Sequence, residues 1–359
     1  MDLYTLPNES HPDNVTLDML QNKLILVALP VVYSVVTLVS IPGNAISLWI
    51  LIFHSKPITS SIILMINLSI TDLALAVFLP FQIHYHMKGN NWIFGKELCN
   101  VVTIMFYVNM YGTILTIMLI SLERYLGIIH PMKSSTWRRK RYAIGAILLI
   151  YLLLFIVLIP MESTDLTYEV KHLNITTCFD VLKWSMLPNI ISWAIFIISL
   201  FFLLFLIPSI ITVVCYVRII RKLIQTSNRN GTGHERRSIN LAIFVLIVFV
   251  TCFAPNNVIL LVHTIVRLFY QNSYYYAYKL TLTLSCLSSC VDPFLYYFAC
   301  KEFRKKALEL LNCRSRSIEK SGTRRGSLFS ALTFSSGQCE ALENGNIHRF
   351  DNNHQVSDM

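Results

Sequence analysis

MLISLERYLGIIHP, residues 118–131, decides how this chain is read. It closes a long apolar run with two opposite charges side by side, Glu123 and Arg124, followed by Tyr125. A charge pair ending a run that otherwise avoids charge marks the point where a helix leaves lipid for water. Glu123 neutralises Arg124 locally, while the long Arg stem snorkels towards the aqueous side.

Outward from that run the same pattern recurs. Only 14% of the 359 residues are charged and 54% are hydrophobic, whereas a soluble globule carries about 25% charged residues. Seven apolar stretches, roughly 24–53, 60–85, 98–129, 142–160, 189–217, 239–266 and 277–298, come close to or exceed the span of a membrane helix. None shows the period-two alternation of barrel strands, so the expected fold is all-α: a seven-transmembrane helix bundle.

Charge orients it. Lys56, the Lys133–Arg141 segment with WRRKR, the Arg218–Arg237 segment and the region after Lys301 are strongly basic. The alternate connections hold Lys23, Lys88, Lys96, Lys171, Lys183, Arg267 and Lys279, offset by acids. Lys and Arg excess marks the cytoplasmic side, so the N-terminus is expected outside and the C-terminus inside a plasma membrane. The net charge of +10 is then a topology signal, with contact to anionic membrane lipid. No basic patch lies on a soluble domain, which argues against nucleic acid as a partner.

The outer side explains two further patterns. Asn8, Asn14 and Asn174 open N-x-S/T glycosylation triplets there, whereas Asn67 and Asn230 fall in a helix and inside the cell. Of nine cysteines, only Cys99 and Cys178 lie outside, where an oxidising exterior would join them.

Ionisable groups inside a membrane are costly and read as functional by default. Asp72 lies deep in the second stretch and Asp292 deep in the seventh, with Asn44, Asn109, Thr113 and Ser288 offering further oxygens. Two carboxylates among neutral oxygens hold a small cation or share a proton; an interhelical hydrogen-bond cluster is the plainer reading. Pro208, Pro255 and Pro293 each remove a backbone hydrogen bond and kink a helix, giving places where the bundle bends between two states. At the cytosolic edge Arg124 is placed to reach Glu235, a latch that would break if the sixth helix swung out.

In order, the chain carries "GN" at Asn44, NLSITDL to Asp72, WIFG from Trp92, Cys99, SLERY to Tyr125, Pro208 with Tyr216 beyond it, CFAP ending at Pro255, and DPFLYY from Asp292. Together these resemble a rhodopsin-like (class A) G protein-coupled receptor, and DPFLYY with CFAP looks like the purinoceptor and lipid-receptor branch. The resemblance implies an outside ligand, outward motion of the sixth helix, and a heterotrimeric G protein docking beside Arg124. It implies that Glu123, Arg124, Tyr125, Tyr216 and Tyr296 rearrange, with Glu235 across the bundle. Phe249, Phe253, Pro255 and Pro293 would relay motion, and Asn44, Asp72, Thr113, Ser288 and Asp292 would hold an allosteric sodium ion. No other cofactor and no enzymatic activity is implied. The sequence departs from the family at Tyr151, where Trp is usual, and at Phe253, where Trp is commoner. It also has no cysteine before Cys99, so the second outer disulfide of many purinoceptors cannot form and the N-terminus is expected to be looser.

The resemblance divides the chain into an outer glycosylated N-terminus (1–23), a seven-span receptor domain (24–300), a membrane-surface amphipathic eighth helix (301–313) and a disordered cytoplasmic tail (314–359). Cys313 is a palmitoylation candidate, and tail serines and Thr333 would recruit receptor kinases and arrestin. Where nucleotide-binding purinoceptors place bases, this chain has Thr103, Leu260 and Leu282. Lys183, His263, Arg267 and Lys279 form a basic rim over Phe106, Tyr107, Tyr111 and Tyr278, which suits an anionic amphipath with a lipid tail. In the bland reading the rim cations only balance acids such as Asp180. The resemblance points to a prenyl-glutathione conjugate and to the Gα12/13 class. A nucleotide is the alternative ligand, and an ion- or proton-coupled transporter is the alternative class.

Overall fold

The computed structural model describes residues 14–130, 139–180, 187–230, 233–270, 274–299, 303–307 and 309. Six long helices meet the length and hydropathy of a membrane crossing: Lys23–His54, Ser60–Met87, Gly95–Ile129, Lys140–Glu162, Ile191–Ser227 and Ser238–Val266. The seventh span is built from two shorter pieces, Tyr275–Cys286 and Ser288–Ala299, broken at Leu287. At 1.5 Å per residue the two together are long enough to cross the hydrocarbon core. Local chemistry starts several spans: Asn22, Thr59 and Asn189 turn side-chain oxygens onto the first free backbone N–H groups of the first, second and fifth.

Burial separates the interior from the lipid face. The third span buries most of its residues between Cys99 and Glu123 and packs on the second, fourth and fifth. Leu24, Val27, Val31, Val35 and Leu38 form an exposed stripe on the first span, and Leu148, Leu149, Leu152, Phe155 and Ile156 another on the fourth. Bands of that kind are rare on a soluble monomer and natural against lipid. The chain is a multi-pass membrane protein.

Proline bends are handled individually. Pro208 follows a π-wound stretch, Ser199–Leu206, in the fifth span. Pro293 has no N–H, which orphans the Ser289 carbonyl one turn back, and Asn44 of the first span donates to that oxygen at 2.9 Å. Gly43 permits the approach, since a Cβ there would lie 3.1 Å from the Pro293 ring.

The expectation of a loose N-terminus fails for residues 14–21. They form a helix, Asn14–Gln21, with Met19 and Leu20 buried against the first and seventh spans. Asn90 pins it, donating to the Leu20 carbonyl at 2.9 Å, so packing replaces the missing disulfide. Between the fourth and fifth spans, β1 (Thr167–Val170) pairs antiparallel with β2 (Ile175–Cys178), register Thr167↔Cys178 to Val170↔Ile175. Trp92 N–H donates to the Thr176 carbonyl at 2.7 Å and Asn100 clamps Thr164 and Leu166, fastening the hairpin over the bundle.

Candidate functional site

The hairpin brings Cys178 to the third span, where it is joined to Cys99 with Cα atoms 5.7 Å apart. Asp180, two residues on, enters the bundle and is fully buried. Its carboxylate takes Lys279 Nζ at 2.6 Å, the Tyr275 hydroxyl at 2.6 Å and the Tyr85 hydroxyl. Burial alone would push this carboxyl up. The Lys279 charge, aided by His86 and the Tyr275 hydroxyl, outweighs burial and holds it below the usual carboxylate range. Lys279 is therefore not a rim cation; it is buried and balanced by Asp180. His263 is also interior, accepting from the Tyr274 N–H at 3.0 Å and stacked on Tyr278. Lys183 and the Arg267 side chain lie outside the described residues.

Two cavities open beside this clasp. One, of about 450 Å³, lies among the third to seventh spans and is walled by Trp193, Phe196, Leu200, Leu260, His263 and Tyr278. The other, of about 300 Å³, lies towards the second span, with Tyr33, Gln82, Thr103, Phe106, Lys279 and Leu282. Tyr107 and Phe179 border both. Tyr107 shares a 2.7 Å hydrogen bond with Tyr278. Tyr111 is stacked behind Tyr107 and lines neither cavity. The residues that sequence reasoning missed are Phe179, Gln82, Trp193 and the tyrosines on Asp180; nothing in their local sequence marks them.

Midway along the bundle, Asp72 accepts from Asn109 at 2.9 Å and interacts with Asp292 and Ser289. Asp72 Oδ2, both Asp292 oxygens and Ser289 Oγ cluster together without a well-formed hydrogen bond, and Thr113 Oγ1 and Asn44 Oδ1 are buried without a protein partner. Ser288 turns its hydroxyl back to the Ser285 carbonyl at 2.8 Å, so Ser289 is the serine that reaches Asp72. Phe249 and Phe253, one turn apart and just before Pro255, are buried with rings 5.6 Å apart.

At the opposite end from the disulfide, a cavity of about 640 Å³ is bordered by Arg124, Tyr216, Tyr296, Ile120, Val245 and Leu295. Glu123 accepts from Ser61 of the second span at 2.6 Å, and Arg218 donates to the Tyr125 hydroxyl at 3.3 Å. The Glu235 side chain lies outside the described residues, as do Asn8, the Asn14 side chain and Cys313. Asn174 is exposed in the hairpin turn with φ +50. Residues 303–307 and 309 are helical; the rest of 301–313 lies outside the described residues, as does the tail beyond it.

A seven-span bundle with a disulfide-tethered hairpin over one end and an Arg-Tyr-Tyr cavity at the other is the layout of a membrane receptor, and residues 43–296 match the family "7 transmembrane receptor (rhodopsin family)". The chain belongs to that family, which is a receptor family and not an enzyme family. It is closely related to purinoceptor 8: it is 59% identical to the purinoceptor 8 of Gallus gallus over 341 residues, 94% of this chain and 96% of that one. It is 56% identical to the "S-geranylgeranyl-glutathione receptor" of Homo sapiens over 330 residues, 92% of each. "Proteinase-activated receptor 2" of Homo sapiens is 39% identical over 305 residues, 84% of this chain and 76% of that one.

Proposed function

We propose that this chain is a plasma-membrane G protein-coupled receptor for S-geranylgeranyl-glutathione or a close prenyl-glutathione analogue, acting through the Gα12/13 class. The carrying observation is the pair of adjacent cavities under the hairpin, which share Tyr107 and Phe179 as walls and of which one is the more apolar, in a chain 56% identical to a receptor named for that ligand. A nucleotide fits poorly: its phosphates need several cations. Thr103, Leu260 and Leu282 border these cavities, and Lys279 is already engaged by Asp180.

In this reading the hairpin end faces outside and the Arg124 end faces the cytosol. Agonist binding favours the state in which the Arg124 cavity admits the G protein. Asp72, Asp292, Asn44, Thr113 and Ser289 hold sodium in the inactive state, where otherwise two facing carboxylates must share a proton. Residues 1–23 are the outer glycosylated segment, 24–300 the receptor domain, 301–313 a membrane-surface helix palmitoylated at Cys313, and 314–359 a tail for receptor kinases and arrestin.

The test is Gα13 activation in cells expressing surface-tagged wild type or Arg124→Ala, with and without S-geranylgeranyl-glutathione. A ligand-dependent signal in wild type that the variant loses supports the proposal. A wild type at the surface that responds to nucleotides and not to the conjugate sinks the ligand assignment.

A further inference from the structure

Phe179 has φ +62, a backbone conformation that bulky residues rarely adopt. Such strain persists only where the surroundings over-determine it. Here they do. Cys178 before it is tied to Cys99, and Asp180 after it is clasped by Lys279. Its own N–H donates to the Leu166 carbonyl at 2.9 Å, and its carbonyl accepts from Tyr275 at 3.2 Å. The result drives an aromatic ring into the bundle, edge-on to Tyr107 at 5.9 Å, where the two rings stand between the two cavities.

The chemistry on the two sides differs. Trp193, Phe196, Leu200 and Leu260 offer one side no charge. On the other side Gln82 offers a buried carbonyl oxygen with no protein partner, beside the Lys279–Asp180 pair. A buried unpaired acceptor is costly unless a donor meets it. The ammonium and amide N–H groups of a peptide head supply such donors.

We propose that Phe179 is a specificity-determining partition that sorts the two ends of the ligand. The isoprenoid tail occupies the apolar cavity among the third to seventh spans, and the peptide head occupies the cavity of Gln82 and Lys279. The ligand bends across Phe179 and Tyr107. Bulk added to the wall of the tail chamber then penalises long tails more than short ones, whereas the head chamber is indifferent to tail length. The inference rests on the prenyl-glutathione reading above and adds which wall reads which end.

The experiment compares S-geranyl-, S-farnesyl- and S-geranylgeranyl-glutathione as agonists in cells, with surface level measured for every variant. Leu200→Trp and Leu260→Trp fill the tail chamber from two different spans, so that one folding failure does not end the test. Each is expected to raise the half-maximal concentration for the geranylgeranyl conjugate by about tenfold or more while leaving the geranyl conjugate nearly unchanged. Gln82→Met is expected to weaken all three conjugates by one similar factor. Phe179→Ala is expected to flatten the ranking by tail length, and Phe179→Leu to keep it. Equal losses for all tails in both Trp variants, or a tail-dependent loss in Gln82→Met, overturn the partition while leaving the ligand class standing. A wild type silent to all three conjugates overturns the ligand class itself, and the partition with it.

Discussion

Lys279 Nζ lies 2.6 Å from Asp180 Oδ1, and neither side chain is open to solvent. The pair joins the hairpin loop to the seventh span, and the Tyr85 hydroxyl adds the second span to the same carboxylate. Losing one partner of such a pair leaves a buried charge uncompensated, at a cost of about 3–5 kcal/mol. Lys279→Met is expected to lower the thermal stability of the solubilised receptor sharply, and Lys279→Met with Asp180→Asn to recover much of the loss. Thermal unfolding of the two variants decides it.

The same pair fixes a pH dependence. Because the folded Asp180 carboxyl sits below its unfolded value of about 3.9, its contribution is complete above that value and is lost only as pH falls through the lower folded one. The stability difference between wild type and Asp180→Asn is therefore expected to be the same at pH 7.4 and pH 5. A wild type that gains stability relative to Asp180→Asn as pH falls from 7.4 to 5 would mean that the folded carboxyl takes up a proton in that range and is not held low.

Gly43 faces the Pro293 ring closely enough that any side chain must push it. Alanine gains about 1 kcal/mol of helix propensity, which offsets the strain of a 3.1 Å contact that relaxes by a few tenths of an ångström. Valine adds two methyls and no such gain, and overpacking costs about 1–3 kcal/mol. Thermal unfolding should show Gly43→Ala close to wild type and Gly43→Val clearly less stable.

Tyr151 donates to Asn67 Oδ1 at 2.8 Å, and Asn67 in turn donates to Thr116 at 3.1 Å, linking the fourth, second and third spans. This departure from the usual Trp keeps a donor at that place. Tyr151→Phe removes it and should cost about 0.6 kcal/mol, the average for hydrogen bonds between membrane helices, and no more than about 1.7 kcal/mol. Tyr151→Trp should restore part of the loss; equal stability of Phe and Trp variants would show that the hydroxyl contributes nothing.

The unpartnered oxygens around Asp72 and Asp292 call for a cation or a proton. Replacing sodium by choline is expected to raise agonist affinity in wild type and to leave it unchanged in Asp72→Asn, read by radioligand competition on membranes. Sodium sensitivity that survives in the variant would place the ion elsewhere.

Much of the bundle was legible because lipid imposes a simple rule: about 20 apolar residues per crossing, with costly exceptions. That rule marks all seven spans, Asp72 and Asp292. The split of the seventh span at Leu287 was not legible, since serine and cysteine on either side fit a continuous helix equally well; nor was the choice of Ser289 over Ser288 as the serine beside Asp72. The helix Asn14–Gln21 was missed because its burial depends on Asn90, some seventy residues later. Lys279 looked like a rim cation because its partner arrives from a loop 99 residues upstream in sequence, and only the Cys178 tether and the hairpin register deliver Asp180 to it. Phe179 owes its place to the same tether.

The most direct test of the receptor account is nucleotide exchange on purified Gα13 by the full chain in lipid nanodiscs, with and without S-geranylgeranyl-glutathione. The expected result is a conjugate-dependent acceleration of exchange that Arg124→Ala abolishes while conjugate binding persists. Binding of the conjugate with no acceleration on Gα13 or any other Gα class would contradict it.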